Sequence, residues 1–229
     1  MTEEKFNVIY ENDDFLAIDK PANSSFHNQD ETLGVNCLLK KQLELDIWPV
    51  HRLDKLTSGI LLFAKNKSAA KQFGQLFEQK KILKTYIALS DKKPKKKQGT
   101  IVGDMQKSRS GSWKLCKTNL NPAKTHFKSH SLVPKIRLFW ITPTTGKTHQ
   151  IRVALKAIGA PILGDKRYSG NEADRGYLHA CRLMFDWNNV QIDIRCQPTF
   201  GKYFLLNEFK AHYTEYYSCS DSNSSRHPA

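Results

Sequence analysis

Apolar residues along the chain recur at two spacings, and the switches between them mark out the elements. "FNVIYEN" (Phe6 to Asn12) and "DFLAIDK" (Asp14 to Lys20) are β-branched and aromatic runs that read as a hairpin or two neighbouring strands. In "LGVNCLLKKQLEL" the apolar residues Val35, Leu38, Leu39 and Leu43 fall near helical spacing, with Thr32 available as a cap. "SGILLFAK", Ser58 to Lys65, is apolar almost throughout, the pattern of a strand buried on both faces. "NKSAAKQFGQLFEQKK" sets Ala70, Phe73, Leu76 and Phe77 on one stripe of a helix that starts near Asn66 or Ser68. "KTYIALS" predicts a further strand, and the alternation between Thr100 and Thr142, as in "WKLCKT" and "IRLFWIT", predicts several antiparallel ones. "THQIRVALKAIG" reads as a helix closed by Gly159. "YLHACRLMF" and "VQIDIRC" return to strand spacing, and "KYFLLNEFKAHYTEYY" predicts a closing helix. The polar residues 218–229 predict a disordered tail. Many strands with few intervening helices predict an α+β fold: one domain, residues 1–217, on a large mixed, mainly antiparallel sheet with flanking helices.

Composition narrows the partners more than the fold. Of 229 residues, 39% are hydrophobic and 25% charged, as in a globular chain. Lys and Arg number 36 against 22 Asp and Glu, a formal net charge of +14. Either this is an ordinary basic surface or it serves a polyanionic partner, and RNA is the partner expected. The five cysteines, Cys37, Cys116, Cys181, Cys196 and Cys219, are scattered and form no C-x-x-C pair. That argues against a disulfide framework or a zinc site and for reduced thiols in the cytoplasm. "MTEEKFNVIY" carries no secretory pattern, and no apolar run approaches the roughly 20 residues that span a bilayer. A soluble intracellular protein without membrane contact is expected.

Several segments could carry chemistry. "ITPTTGKT", Ile141 to Thr148, ends like a P-loop, but Ile141 stands where that motif needs glycine and Pro143 stiffens the loop. Nucleoside triphosphate hydrolysis is therefore not expected. On a helix beginning near Thr148, His149, Arg152 and Lys156 share one face, with Ile151, Ala154, Leu155 and Ile158 on the other. The polar face either meets solvent or aims the Arg152 guanidinium into a cleft, where its planar fork suits a carboxylate or phosphate. Asp54, in "VHRLDKLTSGILLFAK", is open to two uses. It either bonds backbone amides in an Asx-turn or, between Arg52 and Lys55, stays ionised as a nucleophile or oxocarbenium stabiliser. Tyr86 reads by default as a strand aromatic facing the core. The Lys-rich "DKKPKKKQG" (Asp91 to Gly99) reads equally as a solvated linker or a phosphate contact.

These segments also resemble, in order, the motifs of the RluA-type pseudouridine synthases. "HRLDKLTSG" (His51 to Gly59) matches the family pattern H-R-L-D-x-x-T-S-G at every fixed position. "LAIDKPAN", "KTYIAL" and "TTGKTHQIRVAL" are similar to the D/N-K-P-A-G, K-x-Y-x-A-L and T-G-R-T-H-Q-I-R-V-H-L motifs. "GAPILGDKRY" and "YLHACRLMF" resemble G-x-P-I-x-G-D-x-x-Y and L-H-A-x-x-L-x-F. The resemblance implies a catalytic domain with a central RNA-binding cleft, isomerising specific uridines in tRNA or rRNA to pseudouridine. It implies no metal, no organic cofactor and a monomer. Asp54 is implied to be the catalytic aspartate, assisting glycosidic cleavage before C5 is rejoined to C1′. Tyr86 is implied to lie against the uracil and assist loss of the C5 proton, and Arg152 to pair with Asp54. Arg52 is implied to fill the space left by the extruded base, with Lys147 and His149 as further RNA contacts. The chain departs from the pattern at Lys147, where arginine is usual, and at Ala154, where histidine is usual. Little chain precedes the first motif, so the small N-terminal RNA-binding module of larger members is not expected. The net charge of +14 then implies RNA affinity that falls steeply with salt. The rival is an RNA-binding or RNA-folding factor on the same scaffold whose catalysis is dispensable.

Overall fold

A computed structural model describes residues 5–26, 28 and 33–224, with side chains through residue 218. The first hairpin pairs β1 (Asn7–Glu11) with β2 (Phe15–Lys20), and Asn12 Oδ1 closes its turn by accepting from Asp14 and Phe15 N–H, both at 2.9 Å. α1 (Val35–Leu43) follows Gly34, which makes no side-chain cap; Thr32, the expected cap, lies outside the described residues. β3 (Trp48–Pro49) leads into β4 (Ser58–Ala64), buried at every position. α2 (Lys67–Glu78) is capped by Asn66, whose Oδ1 accepts from Ala69 N–H at 2.8 Å. Next come β5 (Leu83–Ser90), β6 (Gln98–Gly103), β7 (Met105–Lys107), β8 (Trp113–Leu115), β9 (Ala123–Val133) and β10 (Ile136–Pro143). α3 (Gln150–Ala157), β11 (Leu178–Trp187), β12 (Val190–Arg195) and α4 (Asn207–Ser224) complete the described chain.

The main sheet runs β1-β2-β4-β11-β5-β10-β9-β6, with β3 on β4 and β12 on β11, while β7 and β8 form a separate ribbon. Among these pairings β4–β11 is parallel and the others are antiparallel, so the sheet is mixed and mainly antiparallel. The continuous apolar run of β4 follows from covering both faces. Ile60, Leu62 and Ala64 join Phe73 of α2 in one core cluster, and Leu61 and Phe63 join Val35 and Leu39 of α1 in another. A third cluster packs α3 and α4 against β5, β10 and β11. β4 and β11 approach so closely at Gly59 (φ +103°) that a Cβ there would lie 2.2 Å from the Ala180 carbonyl oxygen. Only glycine fits both the dihedral and the contact.

Two boundaries differ from expectation. The closing helix begins at Asn207 rather than near Lys202, because tertiary bonds hold the preceding residues in turns. Asp174 Oδ2 accepts from Lys202 N–H at 2.8 Å and Tyr177 Oη from Tyr203 N–H at 3.1 Å. The same helix runs to Ser224, into the segment 218–229 expected as a disordered tail; residues 225–229 lie outside the described residues. No helix among the described residues is long and apolar enough to cross a membrane.

Candidate active site

Asp54 lies on the loop between β3 and β4, where Thr57 N–H donates to the Asp54 carbonyl at 3.0 Å. The turn therefore uses Asp54's backbone and leaves its carboxylate to the cleft, in place of the Asx-turn. The loop is fastened from beneath. Buried Lys20 donates to the carbonyls of Pro21, Ser24 and Lys55 at 2.8, 3.0 and 3.4 Å. His51 Nε2 accepts from Leu62 N–H at 3.0 Å, and Ser58 Oγ meets His179 Nδ1 at 2.7 Å while accepting from Arg175. His179 Nε2–H donates in turn to the Cys196 carbonyl at 2.9 Å. Such a mount holds the loop that carries Asp54 in one geometry.

His51 and His179 are held neutral, each pushed down to about 3 from 6.5 by burial, with Lys84 and Arg175 respectively adding to the effect. Their stabilising contribution is full above pH 6.5 and is lost as the pH falls from there toward 3. Two imidazoles that take up protons only on unfolding give a stability loss of up to about 2.7 kcal/mol per pH unit below pH 6. Urea midpoints measured between pH 7 and pH 5 should fall accordingly; a flat profile would contradict this assignment.

α3 brings Arg152 to Asp54. Gln150 braces the loop before the helix, accepting from Thr145 Oγ1 at 2.7 Å and Lys147 N–H at 3.0 Å and donating to Thr125 Oγ1 at 2.9 Å. Arg152 is buried, so its place on the helix's polar stripe is not a solvent face. Its Nη1 donates to Asp54 Oδ2 at 3.2 Å, while Nε and Nη2 bind the buried Asp165 at 2.7 and 2.8 Å. Burial alone would lower the Arg152 pKa, but the bonds and charges of Asp165 and Asp54 outweigh it and raise it. One guanidinium thus bridges two carboxylates, held rigidly by the bidentate partner and reaching the other with a single N–H.

His149, in the left-handed region at φ 57°, precedes α3 and lies between Tyr168 and Asp54. Its Nδ1 meets Tyr168 Oη at 2.8 Å, and its Nε2 stands 4.0 Å from Asp54 Oδ2. Burial holds its pKa below the usual imidazole value in spite of Asp54. Tyr168 Oη also accepts from Trp113 N–H at 2.9 Å, and its ring lies 4.9 Å from the Arg152 guanidinium carbon. Tyr86, on β5 between Ile141 and Ala180, has its phenol pKa pushed up by burial and then by the charge of Asp54, so its hydroxyl stays protonated.

A cleft of about 810 Å³ is lined by Asp54, Tyr86, Arg152, His149, Lys147 and Arg52. All six candidates from the sequence therefore meet at one place, with Arg52 exposed at the rim and Lys147 Nζ bonded to Asn121 Oδ1 at 2.9 Å. The Lys-rich segment Asp91 to Gly99 does not line it. Asp165, Tyr168 and Lys20 received no role from the sequence, although each sits inside a matched motif; their contacts exist only in the folded chain. Among the described residues, Asp19, His179 and Cys196 bring possible metal-ligand atoms within 4.8 Å of one another. Both His179 nitrogens are already hydrogen-bonded and the Arg175 cation acts on Asp19, so this group reads as a bonded core and not as a metal centre.

The chain matches the family model described as RNA pseudouridylate synthase over residues 14–157. It is 50% identical over 204 residues to an uncharacterized RNA pseudouridine synthase of Haemophilus influenzae, covering 88% of this chain and 91% of that one. It is 36% identical over 208 residues to the ribosomal large subunit pseudouridine synthase C of Rickettsia felis, covering 86% of this chain and 68% of the relative. In fold it resembles the solved human RNA pseudouridylate synthase domain containing 1, with TM-score 0.75 and 24% identity over 92% of this chain and 89% of that one.

Proposed function

The chain belongs to the RNA pseudouridylate synthase family and is an RNA pseudouridine synthase, and on that premise we propose that it isomerises uridines in tRNA or rRNA stem-loops with Asp54 as its catalytic carboxylate. The observation that supports this reading is an Asp54 carboxylate in the lining of a cleft rich in cations, one hydrogen bond from a braced Arg152. A cleft that only bound RNA would gain nothing from an anion among Arg52, Lys84, Lys124 and Lys147, since phosphate repels it. An anion there suits a reaction that builds positive charge at the ribose C1′.

In the proposed reaction the N1–C1′ bond breaks, the uracil turns, and C5 bonds to C1′. The C5 proton leaves and N1 gains one, so composition is unchanged. Asp54 serves by adding to the sugar or by assisting glycal formation, and either role uses its negative charge. Tyr86 offers the uracil a ring face and a neutral phenol oxygen. Arg52 at the rim occupies the space of the extruded base, and Lys147 and His149 border the bound RNA. The protein works as a monomer in the cytoplasm; Cys37, Cys116, Cys181 and Cys196 are free thiols, in keeping with a reducing compartment. The name of the Rickettsia relatives points first to large-subunit rRNA.

The test is tritium release from tRNA and rRNA transcripts labelled at uridine C5, paired with pseudouridine mapping in RNA from cells lacking the gene. Release from one transcript class and loss of one mapped pseudouridine are expected. No release from either class would sink the reading.

A further inference from the structure

Leu120 is 93% exposed, and yet it belongs to the lining of the catalytic cleft. Single exposed leucines are ordinary on protein surfaces. This one differs in how firmly its backbone is held. It lies on the connection between β8 and β9, and the Asp104 carboxylate accepts from both Leu120 N–H at 3.0 Å and Asn121 N–H at 2.8 Å. Asp104 N–H donates to the Thr118 carbonyl at 2.9 Å, and the Asp104 carbonyl accepts from Cys116 N–H at 2.8 Å. Asn121 Oδ1 is bonded by Lys147 Nζ at 2.9 Å, which ties this connection to the loop before α3. Lys147 is the position at which this chain departs from the arginine of the matched motif, and one of its three ammonium donors makes this bridge.

Among the described residues this large apolar side chain is left almost bare beside a cationic cleft. Arg52, Lys84, Lys124 and Lys147 supply charge for phosphates, but none offers an apolar surface of that shape. Nucleobase faces do, and stacking against them tolerates any base. We propose that Leu120 is a wedge that packs on the nucleobase neighbouring the uridine in the cleft, replacing part of the stacking lost on extrusion. Asp104, Asn121 and Lys147 act as its positioning residues. The proposal rests on the RNA-isomerase reading and adds to it a substrate contact that selects stacked, structured RNA.

The test uses a synthetic stem-loop carrying the mapped uridine, with 2-aminopurine as its neighbour to report unstacking. Leu120→Ala should lower kcat/KM about tenfold, mainly through KM, and reduce the 2-aminopurine fluorescence rise on binding. Leu120→Phe should restore both, and Val190→Ala, which trims an exposed apolar residue (60%) at the start of β12 that does not line the cleft, should match wild type. The fluorescence arm, repeated in the Asp54→Asn background, reads the wedge without turnover. If wild type releases tritium and Leu120→Ala matches it within twofold in both readouts, the wedge alone is overturned. If wild type releases none, the isomerase reading falls and the wedge with it.

Discussion

Asp54→Asn is expected to yield a folded, RNA-binding protein that releases no measurable tritium from uridine C5. Asparagine keeps the volume but cannot carry the charge that opposes the developing cation at C1′, and losses of about 10³-fold or more follow from removing such a group. The fold should survive because the Asp54 side chain does little for it. It is 20% exposed, and its turn is closed by its carbonyl. Arg152 is not orphaned by the change, since Asp165 retains its two bonds at 2.7 and 2.8 Å. The melting temperature should therefore move by only about 3 °C, or roughly 1 kcal/mol. RNA affinity should hold or rise slightly, because a phosphate-repelling charge leaves the cleft. Activity within tenfold of wild type would remove Asp54 from the chemistry, and a variant that fails to fold would make it chiefly structural.

Asp165→Ala is expected to cost both stability and activity. Asp165 is 1% exposed and accepts two Arg152 bonds, so its removal leaves a buried guanidinium with the 3.2 Å hydrogen bond to Asp54 and the Tyr168 ring face. Breaking a buried pair on one side costs about 3–5 kcal/mol, which for a chain of this size lowers the melting temperature by roughly 10 °C or more. The residual fold should be a poor catalyst, because Arg152 loses the brace that sets its reach to Asp54; a fall of about 10²-fold in kcat is expected. Asp165→Asn preserves volume and one acceptor, so it should melt at an intermediate temperature while still losing activity. Calorimetry and single-turnover tritium release separate the two effects. A variant equal to wild type in both would show that Arg152 is positioned by other contacts.

The elements were largely legible because each rests on short-range physics. β4 could be read as doubly buried from "SGILLFA", and the start of α2 from Asn66, because the signal and the structure it specifies lie within a few residues. The start of α4 was not legible. Its apolar spacing continues back through Tyr203, Phe204 and Leu205, while the Asp174 and Tyr177 bonds that keep those residues in turns come from elsewhere in the chain. At the site, the motif match pointed to Asp54, Tyr86 and Arg152, but local physics left Asp54 open to an ordinary turn. Spacing cannot say whether the carbonyl or the carboxylate of a residue meets the amide three positions on.

The sequence alone therefore determined the α+β class, the basic surface suited to RNA, and the cluster of residues around "HRLDKLTSG" that matches a catalytic pattern. Only the tertiary structure decided that Arg152 meets Asp54 across 98 positions, that Asp165 braces it, and that an exposed Leu120 lines the same cleft. The reason is that periodicity reports which face of an element is buried, whereas the partner on that face is set by how distant elements pack.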